Sequence, residues 1–356
     1  LNKKLYIYSQ SKVTIKHRSS YGFMNETAPD TPEKKIPFKN LYLVSGYING
    51  LNKSWMYIVT CLLLISGYAM FQSLIIPPLA EILVRNGYSL TEIANNTSLL
   101  FDARALGMDK NIVLILELGM FVFGFLGFYV GLRLLHRKSL TSVTTGYERF
   151  RYSRFFFAAL VWGGLLILIT LGEYFLFPGN MSFQMEQGEN GPFFNFQGLA
   201  ISVLVLLILM PVQTGFEELV FRGYLLQGLS QVFRNAYIPL IITSLLFGAA
   251  HMSNPEVKAH GWPVMLTYFV ISALFMGLIT LLDEGLELAF GIHFANNLVS
   301  TILVTSPNSV VKTYSIFDVH SENAYVEICV WLFMASVAFG LFRLRYGWKN
   351  FRLIIK

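Results

Sequence analysis

Phe216-Glu217-Glu218-Leu219-Val220-Phe221-Arg222, just downstream of the apolar run from Leu199 to Met210, is the stretch on which the fold turns. The run reads as a membrane helix, so both carboxylates sit in or near hydrocarbon. An ionised carboxylate there costs about 2–4 kcal/mol even on forgiving insertion scales. Two adjacent ones, with an arginine one helical turn on, are poor filler. His251 and His293 lie in or beside later apolar segments. Titratable groups of this kind mark a functional site within the membrane by default.

Composition agrees. The 356 residues are 54% hydrophobic and 13% charged, with a mean hydropathy of +0.53. A soluble domain carries about 25% charged residues. The chain is therefore read as all-α: a polytopic membrane helical bundle of about eight transmembrane helices. The net charge of +6 belongs to cytoplasmic loops rather than to nucleic-acid binding, since no basic face is interleaved with exposed aromatics. Cys61 and Cys329 lie in apolar segments and imply neither a disulfide framework nor a thiolate metal site. The first 53 residues are polar and basic, without the apolar core of a signal peptide. Met24-Asn25-Glu26-Thr27 resembles a translation start, which would make residues 1–23 an upstream extension. Asn25-Glu26-Thr27 also fits the glycosylation pattern, with little weight at a cytoplasmic terminus.

A membrane-spanning helix needs about 20 mostly apolar residues. Candidate spans run from Trp55 to Ile76, stopped by Pro77-Pro78, from Ile112 to Leu132, and from Phe155 to Phe177, stopped by Pro178-Gly179. Further spans run from Phe196 at least to Gln213, Tyr237 to Ala250, Val264 to Leu282, Leu288 to Val304 and Tyr325 to Phe342. A short helix is expected from Ser89 in the loop 79–111. Arg133, Arg137, Lys138, Arg149, Arg151 and Arg154 fall between the second and third spans, whereas 178–195 has no Lys or Arg. The C-terminus carries Arg343, Arg345, Lys349, Arg352 and Lys356. By the positive-inside rule both termini are cytoplasmic, and an even number of spans agrees.

Three short patterns carry the polar groups. Glu218 and Arg222 are i and i+4, on one helical face, while Glu217 points about 100° away. Phe247 and His251 are one turn apart, as are His293 and Asn297. Glu217 and His251 are equidistant from residue 234. A corner at Arg234-Asn235 would set them level on two antiparallel helices. Each pattern has a bland reading as well: a simple ion pair, a solvated helix end, or interhelical hydrogen bonding. Requiring all of these within 81 residues is harder to accept. No His-Glu-x-x-His, Gly-x-Ser-Gly, Gly-x-Gly-Asp or P-loop pattern offers another intramembrane chemistry.

In that order, Glu217-Glu218-x-x-x-Arg222, Phe247-x-x-x-His251 and His293-x-x-x-Asn297 resemble the three motifs of the CAAX prenyl protease and bacteriocin-processing (CPBP, or Abi) family, over roughly residues 198–305. The resemblance implies an eight-helix membrane bundle and proteolysis within the membrane. It implies that Glu217 activates water, that His251 positions or polarises that water, and that His293 and Asn297 stabilise the oxyanion. Glu218, Arg222 and Phe247 take supporting places. It also implies an organisation: a basic cytoplasmic arm (1–53), N-terminal transmembrane helices (54–195), a protease-like core (196–305), and a last helix with a basic tail (306–356). Hydrolysis needs a base, a polarised water and donors for the tetrahedral oxyanion, which agrees with the residue types.

The cofactor is either none or a divalent metal such as zinc at Glu217, His251 and His293, since three such ligands make an open site. Expected partners are a peptide or membrane-protein substrate and the lipid bilayer, with no nucleic acid. The expected location is a bacterial inner (plasma) membrane. Whether the substrate is prenylated is not legible. A non-catalytic scaffold or bacteriocin-immunity protein on the same fold is the alternative, with a transporter as a third. One conflict stands out. His251 lies some 14 residues, about 21 Å at the helical rise, beyond Tyr237, whereas His293 follows the Asp283–Glu287 loop by only about six residues. The two depths disagree if both loops lie at one surface.

Overall fold

The computed structural model describes residues 4–9, 12–17, 36–189 and 191–348. Met24, the pattern Asn25-Glu26-Thr27, and Lys349, Arg352 and Lys356 lie outside the described residues. The chain forms two units. In the first, Leu1–Ile36, strands β1 (Lys4–Ser9) and β2 (Lys12–His17) pair antiparallel.

The second unit, Pro37–Lys356, is a helical bundle. Its main helices are α1 (Leu41–Ile48), α2 (Ser54–Arg85), α3 (Lys110–Val130), α4 (Tyr152–Leu176), α5 (Phe196–Glu218), α6 (Tyr237–Ala250), α7 (Trp262–Asp283), α8 (Glu287–Leu303) and α9 (Ala324–Tyr346). Helices occupy all eight expected positions. Six are long and apolar enough to cross a membrane: α2, α3 with its extension to Leu135, α4, α5 with its extension to Phe233, α7 and α9. The other two, α6 and α8, have 14 and 17 residues. The chain is an integral membrane protein built as a polytopic helical bundle.

Three boundaries differ from expectation. Pro77 and Pro78 do not stop the first span; α2 continues through them to Arg85. Its 32 residues measure about 48 Å against a hydrocarbon core of about 30 Å. Each proline leaves a carbonyl of the preceding turn without its N–H partner. Second, α5 does not end near Gln213. It runs through Pro211 and a π-helical turn, Leu219–Leu225, into Leu226–Phe233. Thr214 Oγ1 donates to the Met210 carbonyl at 2.7 Å beside the proline. Third, residues 41–48, expected as part of a polar arm, form a buried helix. Asn40 caps it through the Tyr42 and Leu43 N–H groups. Tyr42 is fully buried, and its hydroxyl donates to the Val143 and Arg222 carbonyls at 2.8 and 2.9 Å.

The expected helix after Ser89 is present as Leu90–Asn95, with Ser89 and Glu92 forming a reciprocal capping box. The corner falls at Arg234, in the left-handed region at φ 54°. Asn235 Oδ1 then accepts from the Ile238 N–H at 3.0 Å as α6 begins. On the opposite face β3 (Met181–Phe183), β6 (Val304–Thr305) and β7 (Phe317–Val319) form a sheet in the order β3-β7-β6. A small hairpin lies between β3 and β6, made of β4 (Glu186–Gly188) and β5 (Gly191–Phe193). The sheet joins the loop after α4 to the loop after α8, so both lie on one face. The bundle core contains Trp162, Ile279, Met334 and Phe342. A second cluster, Phe128, Leu132, Val143, Phe216 and Tyr224, packs beside the Glu217-Glu218 turn.

Candidate active site

The site is assembled by α5, α6 and α8. On α5, Gln213 and Glu217 are one turn apart, and Gln213 Nε2 donates to Glu217 Oε1 at 2.7 Å. Glu217 Oε2 is buried and has no hydrogen-bond partner among the described residues. His293 Nε2 lies 3.5 Å from it. The other ring nitrogen, His293 Nδ1, is 2.7 Å from Glu218 Oε1. The same oxygen accepts from Arg222 Nη1 at 2.8 Å. A carboxylate can only accept, so the proton between His293 and ionised Glu218 sits on Nδ1. Nε2 then faces Glu217.

The expected i, i+4 pairing of Glu218 with Arg222 is present, and both are almost fully buried. Its partner set is larger than expected, because Glu218 also orients His293. Removing either member of so buried a pair strands a charge. The Arg222 guanidinium lies 4.1 Å over the Phe247 ring. That ring is also 4.4 Å from the His251 ring, and the Phe269 ring lies 4.6 Å from His251, at interplanar angles of 37° and 32°. His251 is thus packed against two aromatic rings. Its Nδ1 is 2.8 Å from the Phe247 carbonyl, a group that only accepts. Nδ1 carries a hydrogen, and Nε2 is the ring nitrogen left without that contact.

Asn297 Nδ2 donates to Gln213 Oε1 at 3.1 Å. Asn296 Nδ2 donates to Asn297 Oδ1 at 3.2 Å, and Trp162 Nε1 donates to Asn296 Oδ1 at 3.1 Å. A continuous relay therefore leads from Trp162 on α4 to Glu217. Gln213 and Asn296 were missed in the sequence reading. The available signal was an amide one turn before Glu217 and another beside Asn297, each in an apolar helix.

Glu217, His251, His293 and Asn297 border one cavity of about 830 Å³, together with Phe247 and Gln213. Glu218 and Arg222 do not line it; they stand behind His293. The depth conflict between His251 and His293 is resolved by the cavity's length. It extends from Glu217 to loop residues such as Asn308 and Glu322, so histidines at different levels share it. A second cavity of about 330 Å³ approaches Glu218 between Thr141, Tyr152 and Phe290.

His293 Nδ1 is held by Glu218 and His251 Nδ1 by a carbonyl, which leaves each Nε2 available, the arrangement that metal-binding histidines also have. Among the described residues no three His, Cys, Asp or Glu side chains are grouped to hold an ion.

A carboxylate and imidazole centre, buried in a bundle of membrane helices, defines the class of site. Residues 197–299 match the family described as Type II CAAX prenyl endopeptidase Rce1-like. The resemblance read from the ordered motifs is borne out over that stretch, which contains every residue of the centre. An uncharacterized protein of Bacillus subtilis (strain 168), YyaK, is 27% identical over 297 residues, which cover 82% of this chain and 93% of the relative. No solved structure matches the chain.

Proposed function

We propose that the protein is an intramembrane endopeptidase that hydrolyses a peptide bond with a water activated by Glu217. One observation carries this reading: a buried carboxylate whose Oε2 has no partner faces a large cavity beside two oriented imidazoles. The Rce1-like match over 197–299 supports it. Glu217 takes a proton from water, and the resulting hydroxide attacks the peptide carbonyl. His251 Nε2 accepts a hydrogen bond from that water and fixes its position. His293, its Nδ1–H held by Glu218, donates from a protonated Nε2 to the oxyanion and keeps that proton throughout, with the Asn297 amide as second donor. Glu217 then delivers its proton to the leaving amine. The barrier falls because charge develops among groups already oriented to receive it.

Glu217→Gln keeps size and polarity and removes the base. Cleavage of a substrate found by comparing membrane proteomes of wild type and variant should fall at least about 100-fold. Activity within threefold of wild type would remove Glu217 from the role. Identical proteomes would favour the alternative of a non-catalytic scaffold or immunity protein.

A further inference from the structure

The cavity that holds Glu217 is charged along its length. It passes His251 and ends at a mouth bordered by Glu256, His260, Asn308, Glu322 and Glu327. Four carboxylates line it in all, and no lysine or arginine does, among the described residues. The mouth carboxylates act on one another: Glu327 lies in the field of Glu322, Glu256 and His260. Their present partners are mostly neutral. Asn254 Nδ2 donates to Glu256 Oε1 at 3.0 Å, and Glu256 Oε2 is buried without a partner among the described residues. Asn308 Nδ2 donates to Glu322 Oε2 at 2.7 Å, with His260 Nε2 3.6 Å from the same oxygen. Neither Lys258 nor Lys312 pairs with them among the described contacts. Lys312 pairs with Asp102 at 3.1 Å, and Lys258 does not border the cavity. At the inner end Glu217, only 8% exposed, points a second unpartnered oxygen into the same space.

We propose that this mouth is a subsite for a cationic side chain of the substrate, so that the protein acts on a basic peptide segment whose Lys or Arg occupies the mouth when the bond to be cut is presented to Glu217. The inference rests on the hydrolytic reading of the cavity and names its substrate class. A cleft lined by charges of one sign focuses its field and concentrates the opposite charge. A metal ion is the poorer occupant, because among the described residues no three ligands are grouped. An ammonium or guanidinium on a flexible stem can reach several carboxylates in turn. Tyr268 and Phe269 border the same cavity, and Tyr268 lies in the field of both Glu256 and Glu327, so ring faces are available to the cation as well. Burial holds the Glu256 carboxyl above its ordinary range. A bound cation offsets that cost, so the preference for a cation weakens as the pH falls and Glu256 protonates.

The test uses the full chain in lipid nanodiscs and fluorescent peptides that differ at one scanned position, carrying lysine, norleucine or glutamate. Cleavage is measured on wild type and on a Glu256→Gln, Glu322→Gln, Glu327→Gln triple variant. Binding is measured by anisotropy on Glu217→Gln protein. Lysine should be preferred over norleucine by about tenfold or more at low salt at one position, less so at high salt, and not in the triple variant. A preference below about twofold, or one that persists in the triple variant, overturns the subsite. If the triple variant unfolds, Glu327→Gln alone should reduce the preference. Lysine-selective binding without any cleavage would leave the subsite standing and remove the hydrolytic reading. Cleavage without charge selection would do the reverse, and peptides neither bound nor cut overturn the subsite.

Discussion

Gln213 occupies one oxygen of Glu217 and leaves the other to the cavity. A buried hydrogen bond to a charged group is worth about 1.5–3 kcal/mol, so this amide both stabilises the carboxylate and sets its rotamer. Asn297 and Asn296 hold Gln213 in turn, and Trp162 ends the relay. Gln213→Leu should therefore lower kcat roughly tenfold or more while KM changes little, because the amide acts on the reacting carboxylate and not on the bound peptide. Loss confined to KM in steady-state assays would instead place Gln213 in substrate binding. Lys138, expected as a solvated loop charge, is almost fully buried and donates to the Gly46 carbonyl at 2.8 Å. Burial lowers its pKa to about 7.

At the scale of elements, α2 and α3 approach closely because glycines face each other. A methyl group at Gly67 would run into the Phe123 carbonyl, and one at Gly127 into the Leu63 carbonyl. Without a hydrophobic drive between helices in lipid, such small-residue contacts carry the packing. Leu64, Tyr68 and Phe121 on these helices form part of the cavity wall. Gly127→Leu should push α2 away, lower stability by about 1–3 kcal/mol and weaken activity together with it. A thermal denaturation midpoint in detergent equal to wild type would show that the contact is not so tight. The π-helical turn after Glu218 belongs to this scale too. It adds width to the helix where Arg222 must reach both Glu218 and the Phe247 ring.

For the molecule as a whole, the two ends of the bundle differ. One end is closed by α1, whose Tyr42 is locked to Val143 and Arg222, and carries the basic loop 133–154. The cavity mouth lies at the other end, with the loop 178–195 and the small sheet. Several basic residues of the first loop are structural. Arg151 and Arg154 pair with Asp283, and Arg151 pairs also with Glu287. The positive-inside rule is not a net-charge rule and still counts them, so both termini are expected in the cytoplasm and the mouth outside. Ser142 is buried and makes a poor probe. Single cysteines at Gln187 and Glu148, in a chain lacking Cys61 and Cys329, test the arrangement. An impermeant maleimide on intact cells should label position 187 and spare 148; the opposite pattern would invert the molecule.

The membrane class, the eight helical positions and the Glu217, His251 and His293 patterns were legible in sequence, because hydropathy and the high cost of charge in hydrocarbon act residue by residue. The corner at Arg234 and the Glu218–Arg222 pair were legible too, since both depend on neighbours within one or two turns. Other features were set by contacts between segments far apart in the chain. His293 on α8 is oriented by Glu218, 75 residues earlier, and Asn297 reaches Glu217 only through Gln213. Lys138 looks exposed as sequence, and the apolar run 41–48 is too short to stand out from the polar arm around it, yet the bundle gives Lys138 and Tyr42 carbonyl partners and buries them. Local composition determined which residues could enter the membrane; tertiary packing alone decided that His293 joins Arg222 on Glu218 Oε1 and that Asn297 holds the amide on Glu217, because a hydrogen bond depends on a donor's position and not on its place in the chain.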